Sequence, residues 1–249
     1  MLTVAHISCI LHMHESSVQR ILTEDLKKRS YCAKWIPYSL TDLHKQQRVV
    51  GAQQILNDIS GNVLVIDEKW LYAKPHPNQH NVRAWGDSER DRPKLPRTKT
   101  SPKKFHIIVG VTFRAQHYFE VLNAGETVNS ERYVAFLQNI LQLRRQNLTI
   151  MHDNARPHVS QLTSAFMASK NITRVHQPPY SPDMNLCDRF IFRNMEIARR
   201  DISFNDINAV KDFLDGYLNS FTTYKLQREL QRFRSHLLKI IENNGDYID

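Results

Sequence analysis

The chain is poor in the residues that staple a fold or span a membrane. It has three cysteines in 249 residues, Cys9, Cys32 and Cys187. The number is odd and no Cys-x-x-Cys spacing occurs. That argues against a disulfide framework and fits a reducing compartment. No run of about 18 apolar residues is present, which excludes an apolar membrane-spanning helix. The opening MLTVAHISCIL lacks the basic leader and long apolar core of a secretory signal. Long blocks of like charge are also missing. With 41% hydrophobic and 24% charged residues, the composition is that of a folded chain with a real core, not a disordered one. The length suits one medium domain with an appendage, or two modest domains.

What is present in excess is positive charge. Lys and Arg number 34 against 25 Asp and Glu, a net charge of +9. Such a balance favours a polyanionic partner, of which nucleic acid is the commonest and an acidic membrane surface an alternative.

The first segment has helical spacing twice. Val4, Ile7, Ile10 and Leu11 form one apolar stripe, and Val18, Ile21 and Leu22 form another in a helix running from Glu15 to Leu26. His12 to His14 would be the turn. Two short helices joined this way match a helix-turn-helix, whose second helix would offer Ser16, Ser17, Gln19, Arg20 and Thr23 to a DNA groove. An ordinary helical hairpin has the same pattern. Residues 27–41 read as a linker, and a helix follows over Leu43 to Asn57.

The pattern then changes. Val63 to Ile66 is a short β-branched run that ends at Asp67 and Glu68, as in a buried strand carrying carboxylates at its C-terminal end. Strands are predicted over His106–Phe113, His117–Leu122, Leu148–Met151 and Ile172–Val175. Helices are predicted over Ser130–Gln146, with Ser130 as N-cap, and over His158–Ser169, Asn205–Tyr217 and Tyr224–Glu242. This order gives an α/β fold, a mixed sheet flanked by helices. Between the first two strands lies a polar insertion over 72–104. It is stiffened by three prolines in its second half, which carries Arg90, Arg92, Lys94, Arg97, Lys99, Lys103 and Lys104. A basic, proline-stiffened arm suits phosphate contacts, though a long loop can also be merely solvated.

Asp153 closes the predicted strand 148–151 as Asp67 closes the first. In neighbouring parallel strands the two carboxylates would converge at one sheet edge, with Asp188 following the Pro-rich loop at 178–182. Three carboxylates brought together repel one another unless cations neutralise them, and Mg²⁺ or Mn²⁺ are the hard cations that take oxygen ligands. A pair of such ions serves phosphoryl transfer. Aspartate at a strand end is also common in plain turns. Histidine pairs occur at 12 and 14, 76 and 80, and 152 and 158, but none has cysteines at zinc-finger spacing.

Several segments, in order, resemble the mariner group of the Tc1/mariner transposases. VIDEKWLY (65–72), GETVN (125–129), HDNARPH (152–158) and YSPDMNLCD (180–188) are similar to its conserved motifs. Asp153 and Asp188 have 34 residues between them, the spacing for which that group's aspartate triad is named. SSVQRILTEDL (16–26), KWIPYSLT (34–41) and NNGDYID (243–249) resemble flanking parts of the same family. The resemblance implies a partial helix-turn-helix over 1–29, a linker and connecting helix over 30–58, and an RNase H-like catalytic domain over 59–249 containing the insertion. It implies Asp67, Asp153 and Asp188 as ligands of two Mg²⁺ or Mn²⁺ ions. It further implies double-stranded DNA as substrate (inverted repeats and a TA target), a homodimer and action in the nucleus. The insertion and the linker would lie near the dimer partner and DNA. The chain departs from the family in carrying one helix-turn-helix where two are usual, which implies an N-terminally incomplete copy. It also has MNLCD where APSD is usual, and a short segment after Asp188. The same triad also serves an RNase H-like nuclease that cuts without joining, and a DNA-binding remnant would keep the basic surface alone.

Overall fold

The computed structural model describes residues 3–29, 36–74, 103–123, 125–143 and 148–248. The chain divides into two compact units, Met1–Pro37 and Tyr38–Asp249.

In the first unit, α1 (Val4–Leu11) is capped by the Thr3 side chain, which accepts from the His6 N–H. The chain turns through His12 in the left-handed conformation. Helix α2 (Glu15–Arg20) follows and continues as a π-helical turn over Ile21–Asp25. Among the described residues of this unit Val18 alone is buried, as expected of a hairpin too small to build a core of its own.

The second unit is built on five strands in the order β3-β2-β1-β4-β5. They are β1 (Leu64–Tyr72), β2 (Lys104–Thr112), β3 (His117–Val121), β4 (Thr149–His152) and β5 (Thr173–His176). Strand β1 pairs antiparallel with β2 along its whole length but parallel with β4 only at Leu64 and Val65. This corrects one expectation. Asp67 does not close a strand but sits inside β1, because the β2 ladder carries the strand on through Glu68 to Tyr72. The parallel strand β4 does end where expected, at His152, leaving Asp153 just beyond it.

Alternation along β1 divides its side chains between two cores. Leu64 and Ile66 join Ile108, Tyr133, Phe136, Leu137 and Ile140 on the face covered by α4 (Ser130–Leu143). Val65 and Leu71 join Val109, Cys187, Ile191, Leu230 and Phe233 on the other face. That second face is covered by a π-helix (Cys187–Phe192), α7 (Arg193–Ala198), α8 (Ile207–Asn219) and α9 (Thr223–Glu242). Helix α3 (Asp42–Asp58) packs on α9 and β5.

One cap and one helix span differ from the sequence reading. Helix α4 is capped by the Asn129 carboxamide, which accepts from the Arg132 N–H at 2.8 Å, and Ser130 is its first helical residue. The predicted helix over 158–169 is broken at Ser160. One turn, α5 (Arg156–Val159), precedes it, and Ser160 caps α6 (Gln161–Ser169) by accepting from the Thr163 N–H.

Candidate active site

The two-fold alternation of β1 sends Asp67 and Glu68 to opposite faces of the sheet. Asp67 follows Val65 onto the face covered by the π-helix, and that helix delivers Asp188 in its first turn. The residue before it, Cys187, is fully buried and donates its thiol to the Val65 carbonyl at 3.5 Å. This pins the helix start to β1 two residues from Asp67. The cysteine is therefore a packing residue here, and burial pushes its thiol well up. Asp188 and Asp67 share a hydrogen bond.

That contact has an electrostatic signature. Asp67 is 9% exposed. Its burial, then the charges of Asp188 and Glu68, raise its pKa well above the usual carboxylate range. Asp188 reaches the surface, yet partial loss of water and the charge of Asp153 hold it up too, against the opposing pull of Asp67 and Lys69. Two carboxyls that both resist ionisation and touch one another share a proton when no cation is present.

Asp153 behaves in the opposite way. Burial would raise it, but it accepts from His158 Nδ1 at 2.7 Å and from the Ala155 N–H at 2.9 Å, and the net effect is to lower it. His158 projects from α5 and is buried between two carboxylates, with Nε2 at 2.8 Å from Glu68 Oε1. Burial alone would make it neutral. The two carboxylates outweigh that and raise it to about 9, so it is an imidazolium at neutral pH. His152 lies stacked on it, ring centroids 4.8 Å apart. Burial first, then the charge on His158, drive His152 down to about 2, so it stays neutral and shares a 2.6 Å hydrogen bond with the Tyr133 hydroxyl.

A second network joins the loop after β4 to the helix bearing Asp188. The Asn154 carboxamide donates to the Gln177 carbonyl at 2.8 Å. Gln177, 4% exposed, donates to the Ser181 carbonyl at 3.1 Å and accepts from the fully buried Asn185 at 3.3 Å. Asn185 in turn accepts from the Cys187 N–H at 2.8 Å. The buried amides of Gln177 and Asn185, with these partners, hold a single arrangement. Beside them opens a cleft of about 490 Å³, lined by Asp153, Asn154, Asp188 and the loop from Gln177 to Pro182.

The structure thus brings Asp67 and Asp188 into contact and leaves Asp153 close enough for its charge to act on both. Among the described residues, no three carboxylate, imidazole or thiol groups stand together in a set that holds a metal ion as it is. Asp153 Oδ1 is taken up by His158. The donor set nevertheless fits a hard divalent ion. All three groups are oxygen donors, and two of them are held up by burial and by neighbouring negative charge, a penalty that a bound cation removes.

Of the residues read as DNA contacts, Ser16, Gln19 and Arg20 are exposed and Ser17 is partly so, all on α2. Arg90, Arg92, Lys94, Arg97 and Lys99 lie outside the described residues. Lys103 is exposed and donates to the Asn205 carbonyl, and Lys104 lies over the Trp70 ring at 4.0 Å. His158, Gln177 and Asn185 were not singled out as site residues by sequence reasoning. Histidine five residues after Asp153 was visible, but its second partner, Glu68, is 90 residues away.

A mixed sheet in the order above, with paired carboxylates on its central strand and on a helix packed against it, is the RNase H-like architecture of enzymes that break phosphodiester bonds. The DDE superfamily endonuclease family matches residues 62–211, and the chain belongs to that family. It is 26% identical over 96% of its length to human SETMAR, a histone-lysine N-methyltransferase, and spans 36% of that protein. It is 22% identical over 96% of its length to the mariner Mos1 transposase of Drosophila mauritiana, covering 72% of it. Among solved structures, the Mos1 mariner paired end complex with Mn matches the whole chain and 76% of its own, with a TM-score of 0.84 at 22% identity. The chain therefore spans about a third of the length of the human relative and about three quarters of the insect one.

Proposed function

We propose that this protein is a cut-and-paste DNA transposase of the mariner type. It hydrolyses a phosphodiester at the end of an element and joins the freed 3′-hydroxyl to target DNA at a TA step. The observation that carries the reading is the Asp67–Asp188 carboxyl pair with Asp153 beside it, in a chain of the DDE endonuclease family.

Asp67, Asp153 and Asp188 are the residues that would hold two Mg²⁺ or Mn²⁺ ions. Such ions, when bound, activate the attacking oxygen and stabilise the leaving one. The remaining work falls to the chain. Asp67 and Asp188 give up their shared proton on loading. His158 keeps Glu68 neutralised and fixes the turn that bears Asp153. The Asn154–Gln177–Asn185 amides hold the two aspartate-bearing segments at a set separation. The cleft of about 490 Å³ beside Asp153 and Asp188 admits a DNA strand to the carboxylates. No covalent link to protein is needed, so a serine or tyrosine nucleophile has no part.

The partner is double-stranded DNA. The net charge of +9 supplies the long-range attraction to phosphate. Ser16, Ser17, Gln19 and Arg20 on α2 contact the inverted repeat, and the basic residues of the 72–104 insertion contact backbone. A second copy completes the assembly on paired ends, and the site of action is the nucleus. A strand-transfer assay tests the reading. A labelled duplex with a free 3′-hydroxyl end and a supercoiled plasmid are incubated with Mn²⁺. Joined, labelled plasmid is the expected product. Nicking without joining would make the protein a nuclease only.

A further inference from the structure

The loop that lines the cleft is gripped from outside by the end of the chain. Arg48 on α3 has no exposed surface. Its guanidinium makes a fork with Asp183, both bonds at 2.8 Å, and donates to the Ser181 hydroxyl at 2.9 Å. Its Nε donates to the Gly245 carbonyl at 2.7 Å, and the Tyr247 ring lies 4.5 Å from its centre. Tyr247 also donates its hydroxyl to the Tyr180 carbonyl at 2.7 Å. Lys45, one turn before Arg48, pairs with Asp246 at 2.5 Å. Three consecutive tail residues are thus engaged by one face of α3 and by the loop.

Two backbone details show how closely this contact is built. Gly245 has φ +84, and a Cβ there would lie 2.1 Å from the Lys45 carbonyl oxygen. Only glycine fits. Tyr180 has φ +52, an unfavourable conformation for a bulky side chain that persists only where neighbours impose it. Its neighbours here are Tyr247, bound to its carbonyl, and Tyr38, stacked on its ring at 3.9 Å.

We propose that the tail segment 245–247 acts through Arg48 as a positioning device for the cleft loop 178–183. Arg48 and Tyr247 are therefore positioning residues for cleavage, a role that rests on the proposed function. Stability alone does not call for this arrangement. A buried ion pair is often no better than an apolar pair of the same size. What a forked guanidinium adds is fixed direction. The direction is passed on in sequence, because Asp183 is the middle residue of the turn Pro182–Met184, which leads through Asn185 to Asp188. A displacement of about 1 Å at a reacting group can cost on the order of a hundredfold in rate.

The test compares wild type, Tyr247→Phe, Arg48→Lys and Asp153→Ala. Tyr247→Phe keeps the ring over Arg48 and removes only the bond to the Tyr180 carbonyl. Mn²⁺-dependent nicking is measured as kcat and KM, and backbone amide exchange is followed over 178–188. In Tyr247→Phe, kcat is expected to fall about tenfold with KM unchanged and the melting temperature nearly so, while exchange rises in the loop and nowhere else. Arg48→Lys, which cannot make the fork, is expected to lose more kcat and not to rescue. A folded Tyr247→Phe with wild-type kcat and wild-type loop exchange overturns the proposal. If wild type itself fails to cut, as Asp153→Ala is expected to, the cleavage reading falls. Loop exchange in Tyr247→Phe then decides the positioning claim by itself.

Discussion

His158 Nδ1 lies 2.7 Å from Asp153 Oδ1, and that single contact decides how the site looks without metal. The imidazolium neutralises Asp153 from one side and Glu68 from the other. Asp67 and Asp188, which have no such cation between them, fall back on a shared proton. The cluster is thus balanced by one histidine and one proton, and each has a measurable consequence.

The histidine makes stability depend on pH. His158 is raised to about 9 from an ordinary 6.5. A group whose folded pKa is raised contributes fully below its unfolded value and loses that contribution as pH climbs through the folded one. The window is therefore pH 6.5 to 9, and the contribution is on the order of 3 kcal/mol. Urea unfolding of wild type and His158→Gln should differ by about this much at pH 6 and converge near pH 9.5. Curves that stay equally far apart across the range would contradict the ionised histidine.

The proton makes one substitution stabilising and inactivating together. Asp67 is buried beside like charges, so at neutral pH its folded form carries a penalty that asparagine lacks. In EDTA, Asp67→Asn should melt above wild type, by about 1 kcal/mol in stability. With Mn²⁺ the order should narrow or reverse, because only wild type gains a full ligand set. An Asp67→Asn protein that is less stable than wild type in EDTA would contradict the account of this pair.

Sequence reasoning reached the parts of the molecule set by short-range pattern. The β-branched run before Asp67, the strand before Asp153 and the apolar faces of α4 and α9 all carried local period, and each element formed within a few residues of its expected place. Asp67 shows the limit. Whether a strand stops at a carboxylate or runs through it depends on its partner, and β2 lies across an insertion of some thirty residues. The same holds for Arg48. Nothing near it in sequence marks a buried guanidinium, because its partners are Asp183 and Gly245. The candidate aspartates were legible from spacing and resemblance. The polar groups that hold them, His158, Gln177 and Asn185, belong to contacts that only the fold creates.

Packing against the cleft loop gives a prediction in which two effects compete. A Cβ on Gly51 would lie 2.7 Å from Pro178 Cγ and 2.9 Å from its Cδ. Replacing helix glycine by alanine gains up to about 1 kcal/mol of propensity. Overpacking against a rigid ring costs about 1–3 kcal/mol. The clash should win, so Gly51→Ala is expected to unfold at lower urea and to cut more slowly, since Pro178 lines the cleft. A gain in stability with unchanged cutting would mean that the loop yields freely.

The central claim is that Asp153, with Asp67 and Asp188, supports metal-dependent cleavage of DNA. The most direct measurement is nicking of supercoiled plasmid by wild type and Asp153→Ala, in Mn²⁺ and in EDTA, with DNA binding measured in parallel at low salt. The account predicts nicking by wild type in Mn²⁺ only, a loss of at least about a hundredfold in Asp153→Ala, and equal binding by both. Nicking that survives in Asp153→Ala, or binding by wild type with no cut in Mn²⁺, would contradict it.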